Sequence, residues 1–229
     1  MKKKILLISY WVNKTGNSPG IMADDKIHSL LKLNYKIIVL SSFDCKKIKK
    51  ENITHFRVPS ISLSDYLIES KSILTLQDLI LFICMLPLAI TFGLFLNILE
   101  IILLKGKSGG KWFWFFLALP IAIFINVIYR VDIIFSTGGP ACSHLTGILI
   151  TFFSKKKLFS QLQDPLFGKG IGRSSISSNY LRIFEKILLK RCHKLIFVTK
   201  TAALEAKRRN HLFKYKIKGI YTGAIKQKI

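Results

Sequence analysis

Residues 131–162 read VDIIFSTGGPACSHLTGILITFFSKKKLFSQL, and this stretch decides the fold class. A short β-rich run at 131–135 is followed by a break of glycine and proline at 138–140. Apolar residues at helical spacing follow at 142–153, and a second β-rich run closes the stretch at 158–162. A strand, a helix and a strand within about 30 residues predict a βαβ unit, because parallel strands need a crossover connection.

The same alternation continues on both sides of this unit. Toward the N-terminus, the pattern predicts a strand at 5–9, an amphipathic helix at 21–33, and two further strands at 35–40 and 55–58. Toward the C-terminus, it predicts a helix at 179–192 and a strand at 195–198. A helix that is capped by Thr199 or Thr201 and extends to residue 209 follows, and a final strand lies at 217–221. We therefore predict an α/β fold, a Rossmann-like parallel sheet with flanking helices, in a single domain over residues 1–229.

The composition is both strongly basic and strongly apolar. Of 229 residues, 36 are Lys or Arg and 12 are Asp or Glu, which gives a formal net charge of +24, while half of the chain is hydrophobic. Disordered chains combine high net charge with low hydrophobicity, so that class is excluded. A nucleic-acid-binding protein would explain the charge alone, whereas a protein seated on an anionic membrane surface would explain both properties. Nucleic acid is therefore the less favoured partner.

The apolar excess is concentrated between the two α/β blocks. Residues 79–104 contain Glu100 as their only charge, and residues 112–129 contain none. A basic turn at 105–111 joins them, so we predict an inserted hydrophobic helical hairpin over 79–129 that associates with a membrane. A hairpin lying at the membrane surface is preferred to a spanning one, which would carry the lysines of the turn across. The alternative is a pair of buried core helices, the second of which covers the sheet.

The loop after the first predicted strand carries Gly16, Ser18 and Gly20. A glycine loop that leads into a helix can bring backbone N–H groups to a phosphate, so these three are candidate phosphate-binding residues. The loop has neither a G-x-G-x-x-G nor a Walker pattern, and an ordinary turn is the alternative. The four cysteines form no C-x-x-C pair and the five histidines have no ligand spacing, so no metal site is predicted.

Several segments, in order, resemble those of bacterial family 4 glycosyltransferases. Residues 132–147, DIIFSTGGPACSHLTG, are similar to that family's D-hydrophobic-hydrophobic-S-T-x-P-P-x-x-S-H-L-x-G segment, and residues 161–166, QLQDPL, to its D-F-R-D-P-W segment. Residues 182–185, RIFE, and 194–199, KLIFVT, resemble its R-x-x-E and A-D-K-V-I-F-V-T. Residues 220–224 stand where the family has I-P-N-G-V. The order and spacing make this resemblance specific over the second half of the chain.

The resemblance implies a GT-B enzyme, in which two Rossmann-like domains enclose the active site. The N-terminal domain of such an enzyme binds the acceptor, and the C-terminal domain binds most of the nucleotide-sugar. Residues 1–229 resemble the N-terminal, acceptor-side half, so the donor-binding C-terminal domain is expected to be absent. The nucleotide-sugar would be a co-substrate, and no cofactor is implied.

The resemblance also implies a set of site residues. Asp164, in a turn that faces the cleft in this family, is the catalytic candidate, because it could orient an acceptor hydroxyl or act as a base. Gly139, Pro140, His144 and Gln163 are the candidate acceptor or cleft residues. Two alternatives stay open, since Asp164 before a proline also suits an Asx-Pro turn, and His144 also suits a helix start.

The chain departs from the family pattern at three positions near Asp164. Gln161 stands where the family has Asp, Gln163 where it has Arg, and Leu166 where it has Trp. These changes predict a divergent acceptor site.

Three functions from different classes fit these observations. The first is the acceptor-binding half of a membrane-associated glycosyltransferase, which moves a sugar from a nucleotide-sugar to a lipid-linked or cell-surface saccharide in polysaccharide biosynthesis. The second is a non-catalytic, membrane-anchoring subunit of a split glycosyltransferase, which recruits a separate donor-binding chain. The third is a basic membrane- or nucleic-acid-binding module. For the first two, we expect a peripheral position on the cytoplasmic face of the inner or plasma membrane, monotopic or held by the hairpin.

Overall fold

The computed structural model describes residues 2–14, 16–43, 45–60, 76–103, 111–138, 141–163, 166 and 175–220. Within these ranges, seven parallel strands form one sheet in the order β3-β2-β1-β4-β5-β6-β7. The strands are β1 (Lys4–Ile8), β2 (Lys36–Ser42), β3 (Ile53–Val58), β4 (Ile133–Gly138), β5 (Lys157–Leu162), β6 (Lys194–Phe197) and β7 (Ile217–Gly219). The helices are α1 (Ser18–Lys32), α2 (Leu76–Leu103), α3 (Trp112–Ile128), α4 (Ala141–Ser154), α5 (Ser175–Arg191) and α6 (Lys200–Arg209), followed by a 3-10 helix (His211–Lys216).

Helices cover both faces of the sheet, which is why its central strands are apolar along their whole length. On one face, Ala23 and Ile27 of α1 pack against alternate residues of β1 and β2 and against Phe135 of β4. On the other face, α3, α4, α5 and α6 contribute to a larger apolar core around β1, β4, β5 and β6. The loops at the carboxyl ends of the strands are thereby carried on a rigid, two-sided core.

The predicted α/β fold with a parallel sheet and flanking helices is confirmed, and the element ends move by a few residues. α1 begins at Ser18 instead of residue 21, because Asn17 caps it and Pro19 suits its first turn. Of the two threonines proposed to cap α6, Thr199 does so, accepting a hydrogen bond from the N–H of Ala202 at 3.2 Å. The 3-10 helix before β7 was not predicted.

The prediction for residues 79–129 needs a correction. The chain forms α2 and α3 there, but within the described ranges no helix combines the length and apolarity that crossing a membrane would require. α3 belongs to the core, since Trp114, Leu117 and Ala122 are buried against the other elements. The alternative in which the second segment covers the sheet is the one observed, and an inserted apolar hairpin is not supported.

α2 differs from α3 because much of its apolar surface stays in contact with solvent. Its inner side meets α3, and at the margin of this contact the half-exposed ring of Phe92 lies 5.5 Å from the ring of Phe116 between centroids. Its outer side forms what we call the α2 apolar face, which consists of exposed large side chains at Ile80, Ile83, Ile90, Phe92, Leu94, Phe95, Ile98, Leu99, Ile101 and Ile102. Exposed apolar patches of this extent mark interaction surfaces.

Gly93 is a point of close contact between α2 and α3, and we expect a methyl group there to disturb the packing. A Cβ atom on Gly93 would lie 2.8 Å from Cδ1 of Phe113 and 3.1 Å from its Cα, which cannot rotate away. Overpacking of this kind costs about 1–3 kcal/mol, whereas the gain in helix propensity is about 1 kcal/mol or less. Gly93→Ala should therefore lower the midpoint of thermal unfolding measured by circular dichroism. Leu94→Ala, on the exposed side, should leave it near the wild-type value; equal midpoints for both variants would contradict this packing.

Candidate functional site

The candidate site lies at the carboxyl edge of the sheet, between β1 and β4. From β1 the chain proceeds outward through β2 and β3, and it then crosses back to β4 on the other side of β1. Loops that leave neighbouring strands in opposite directions open a crevice, and ligands of open α/β sheets bind there. The candidate residues Gly139, Pro140 and Asp164 lie outside the described residues, so their roles stay predictions.

The loop that follows β1 is tied to the neighbouring loops by hydrogen bonds. The N–H of Tyr10 donates to Oγ of Ser143 at 3.1 Å, which joins this loop to the start of α4. The N–H of Asn13 donates to Oδ1 of Asp24 at 2.9 Å, which joins it to α1. Burial raises the pKa of Asp24, and the Asn13 hydrogen bond opposes that rise. These bonds connect the loop after β1 to both α4 and α1.

The three candidate phosphate-binding residues lie together where this loop enters α1. Gly16 has a positive φ of 72°, and the side chain of Asn17 accepts a hydrogen bond from the N–H of Gly20 at 2.9 Å. Pro19 has no N–H, so the first turn of α1 has few backbone donors left for a phosphate. A Cβ atom on Gly20 would lie 3.3 Å from the carbonyl oxygen of Lys14, which accounts for this glycine. The geometry favours the ordinary turn over a phosphate site.

His144 lies in the first turn of α4 and is completely buried. Its Nε2 donates to the carbonyl oxygen of Gly138 at 3.3 Å, so Nδ1 accepts from Oγ of Ser136 at 3.0 Å. Oγ of Ser136 in turn accepts from Oγ of Ser160 at 2.8 Å. Burial lowers the pKa of His144 to about 4, against a smaller opposing effect of the Gly138 carbonyl.

This hydrogen-bond chain bears on the two roles open for His144. Both ring nitrogens are used inside the protein, and the low pKa keeps the ring neutral at physiological pH. A neutral, buried imidazole with both nitrogens engaged is suited to fixing the β4–α4 turn and is poorly placed to contact a ligand. The geometry therefore favours the helix-start role over the cleft contact.

Glu185, from the segment that resembles R-x-x-E, joins α5 to the C-terminal end of α6. It is buried, and its carboxylate accepts from Nη2 of Arg209 at 3.1 Å and from Nδ2 of Asn210 at 2.7 Å. Arg182 of the same segment is exposed. A buried carboxylate paired in this way is an anchor between helices, away from the crevice at the carboxyl edge.

Sequence reasoning missed a set of polar side chains at the ends of β4 and β5. Thr137, Gln161 and Gln163 are all buried, and each carries a polar atom without a hydrogen-bond partner in the part of the chain that the structure describes. Of these, only Gln163 had been a candidate. A glutamine within the predicted strand was the available signal, but its significance depends on the register with β4.

The described residues contain no group of three or more His, Cys, Asp or Glu side chains that could hold a metal ion. The four cysteines are free thiols, and three of them, Cys45, Cys142 and Cys192, are buried.

The chain is similar in fold to solved glycosyltransferases. It matches HepE of Anabaena in complex with UDP-glucose with a TM-score of 0.50 and 12% identity, over 96% of this chain and 44% of HepE. Sucrose-phosphate synthase of Thermosynechococcus elongatus matches with a TM-score of 0.55 and 11% identity, over 98% and 49% of the two chains. UGT89C1 of Arabidopsis thaliana, complexed with UDP-L-rhamnose, matches with a TM-score of 0.50 and 12% identity, over 100% and 54%. No protein-family model and no curated protein matches this chain.

These similarities define the chain as a protein with a GT-B glycosyltransferase fold. The GT-B fold that the sequence predicted is confirmed at this level. The chain spans about half the length of the solved structures it matches, at 44–54% of their residues. The assignments to family 4 and to the N-terminal half stay predictions.

Proposed function

We propose that this chain is the acceptor-binding half of a family 4-like glycosyltransferase that uses a nucleotide-sugar. The observation that carries the proposal is the match of nearly the whole chain to about half of several solved structures, two of which hold a UDP-sugar. The ordered sequence segments between residues 132 and 224 support the same assignment independently. The nucleotide-sugar acts as co-substrate, and a second domain or a separate chain provides most of its binding site.

The proposed reaction is a simple substitution at the anomeric carbon of the donor. An acceptor hydroxyl oxygen forms the new bond, and the nucleoside diphosphate leaves with the electrons of the broken bond. Asp164 is proposed to orient the acceptor hydroxyl or to take its proton. Gly139, Pro140 and Gln163 are proposed to line the acceptor side of the crevice, where the carboxyl ends of β4 and β5 lie next to each other.

We further propose a lipid-linked saccharide as the acceptor and a peripheral position on the cytoplasmic face of the membrane. Two features of the chain support this. The α2 apolar face leaves ten large side chains exposed, and the net charge of +24 favours an anionic surface. An in-plane helix needs no membrane crossing, so it is compatible with the absence of a spanning helix among the described residues.

Transfer of labelled sugar into the lipid fraction tests the proposed function. Membranes from a strain that lacks this gene should regain incorporation from one nucleotide-sugar of a panel when the purified chain is added back. Asp164→Asn should lower that incorporation about 100-fold or more, as expected for loss of a general base. Asp132→Asn is the matched control: Asp132 accepts from the N–H of Lys4 at 2.8 Å near the opposite edge of the sheet, and an amide oxygen can still accept there.

Three results would count against parts of this proposal. If addition of the chain raises incorporation from none of the nucleotide-sugars, the transferase function itself is wrong. Full activity of Asp164→Asn would leave the transferase function in place and support the non-catalytic, membrane-anchoring role. Sugar transfer by the purified chain without membranes or a second chain would contradict its need for a donor-binding partner.

A further inference from the structure

We propose that Thr137, Gln161 and Gln163 bind the hydroxyl groups of an uncharged saccharide. We call these three side chains the amide–hydroxyl cluster. The inference rests on the proposed function and deepens it, because it assigns the chemical class of the acceptor that the crevice takes.

The sheet register brings the cluster together. Thr137 of β4 is the direct neighbour of Gln161 of β5, so the two side chains lie on the same face of the sheet. That face is the one covered by α1, because the preceding residue Ser136 points to the opposite face, toward His144. Gln163 follows Gln161 by two residues, just beyond the end of β5. The cluster therefore extends along β5 to the carboxyl edge, where the candidate crevice opens.

The burial and the hydrogen bonding of the cluster distinguish it from an ordinary polar patch. Thr137, Gln161 and Gln163 are 0%, 1% and 9% exposed, respectively. Oγ1 of Thr137, Oε1 of Gln161 and Nε2 of Gln163 are buried and lack a hydrogen-bond partner among the described residues. An unsatisfied buried polar group is costly, and native proteins keep few of them.

The opposite face of the same two strands shows the contrast. There, Ser136 and Ser160 bond to each other at 2.8 Å and Ser136 also bonds to His144. Thr146 of α4, as deeply buried as Thr137, donates to the carbonyl oxygen of Cys142 at 2.8 Å. The hydroxyl groups of Ser136, Ser160 and Thr146 are thus satisfied, whereas the three atoms of the cluster on the other face of the same strands are not.

The chemistry of the cluster selects the ligand class. A hydroxyl group both donates and accepts, an amide oxygen accepts, and an amide nitrogen donates. Sugar hydroxyls, which also donate and accept, can satisfy all three, whereas a phosphate or carboxylate would need a cation. The three side chains of the cluster are themselves uncharged. We therefore assign a neutral saccharide, which enters at Gln163, the most exposed member.

Saturation-transfer NMR on the full chain provides the test. The probes are glucose, galactose and N-acetylglucosamine, with glucuronate and glucose 6-phosphate as charged counterparts. At least one neutral sugar should give signals, and the charged forms should give weaker ones. Gln161→Leu and Thr137→Val should each weaken binding of that sugar about tenfold, as expected for loss of one buried hydrogen bond. Both should also raise the thermal midpoint by about 2–4 °C, because each removes an unsatisfied buried group.

Thr146→Val is the matched control, because it makes the same substitution at a buried threonine whose hydroxyl is satisfied. It should leave sugar binding unchanged and should not raise the midpoint. If Gln161→Leu does not fold, Gln163→Leu at the end of the strand takes its place in the binding measurement. Wild-type-like sugar binding by folded Gln161→Leu or Gln163→Leu, or the absence of any neutral-sugar signal from the wild-type chain, would overturn the inference.

Failure of this inference is distinguishable from failure of the proposed function. If labelled-sugar incorporation depends on the chain but cluster variants bind the sugar normally, the function stands and the cluster is structural. If the cluster variants lose sugar binding but no nucleotide-sugar supports incorporation, the site stands and the transferase proposal is wrong.

Discussion

The triple variant Ile83→Ser, Phe95→Ser and Ile102→Ser should no longer bind vesicles of mixed phosphatidylcholine and phosphatidylglycerol. These side chains are among the most exposed of the α2 apolar face, at 61%, 63% and 66%. Transfer of a large apolar side chain out of water is worth about 1.5–3 kcal/mol. Replacing three of them should therefore weaken partitioning into the vesicles by about 4.5 kcal/mol or more, which corresponds to about a thousandfold. Cosedimentation with the vesicles measures this directly.

A control with the same number of exposed apolar residues makes the result specific. Leu33, Leu204 and Leu212 are 68%, 55% and 84% exposed, and they lie near the end of α1, on α6 and in the 3-10 helix. Their triple replacement by serine should leave vesicle binding intact. Equal release of both triple variants, or retention of the α2 variant, would contradict docking through the α2 apolar face.

Salt separates the two contributions to this docking. Each Lys or Arg near an anionic surface adds about 1 kcal/mol of attraction, which salt screens within a Debye length of about 3 Å at 1 M. Wild-type binding should therefore weaken in 1 M NaCl but persist through the apolar contacts. Complete release by salt would mean that charge alone holds the chain at the membrane.

The fold could be predicted from the sequence because its signals are local. A strand buried on both faces is an unbroken apolar run, as in β1 and β2, and a helix on one face shows 3.6-residue spacing, as in α1. The position of α3 was harder to predict, because a helix that is apolar all round suits either a protein core or a membrane. Its position as the crossover that covers the sheet depends on long-range packing around Trp114, which composition does not contain.

The candidate site was predictable only in part. The position of the loops after β1 and β4 follows from the topology, and chain position alone places Gly16, Ser18 and Gly20 beside them. The role of His144 depends on Ser136 and Ser160, which lie on two different strands. Gln161 gains its significance from the register with β4, because only that register places it beside Thr137. Contacts of this kind between distant residues are set by the whole fold.

Acid should unfold this protein well before most carboxylates are protonated, because two buried histidines must stay neutral. Burial lowers the pKa of both His144 and His55 to about 4, and nearby Arg57 and Lys47 add to the effect at His55. His55 uses both ring nitrogens, bonding to Oγ of Ser41 at 2.8 Å and accepting from the N–H of Ile48 at 3.0 Å. Each histidine therefore favours the folded state only while it is unprotonated.

The direction of the pH dependence follows from these lowered pKa values. An unfolded chain takes up a proton on each histidine below about pH 6.5, whereas the folded chain does so only below about pH 4. The contribution of the two neutral histidines to the free energy of unfolding is thus fully present above about pH 6.5 and is lost as the pH falls toward 4. Between about pH 7 and 4.5 the loss amounts to roughly 2–3 kcal/mol for each histidine in the free energy of unfolding.

Urea titrations at the two pH values, on the wild-type chain and on single variants, measure this effect. His144→Gln should be less stable than the wild type at neutral pH, because the bonds to Ser136 and Gly138 are disturbed, but it should lose roughly 2–3 kcal/mol less on acidification. His211→Gln, at an exposed position, should show the wild-type loss. If His144→Gln and the wild type lost the same free energy of unfolding between these pH values, the neutral, buried state assigned to His144 would be wrong. The choice of a structural role over a ligand-binding role for His144 would then be wrong as well.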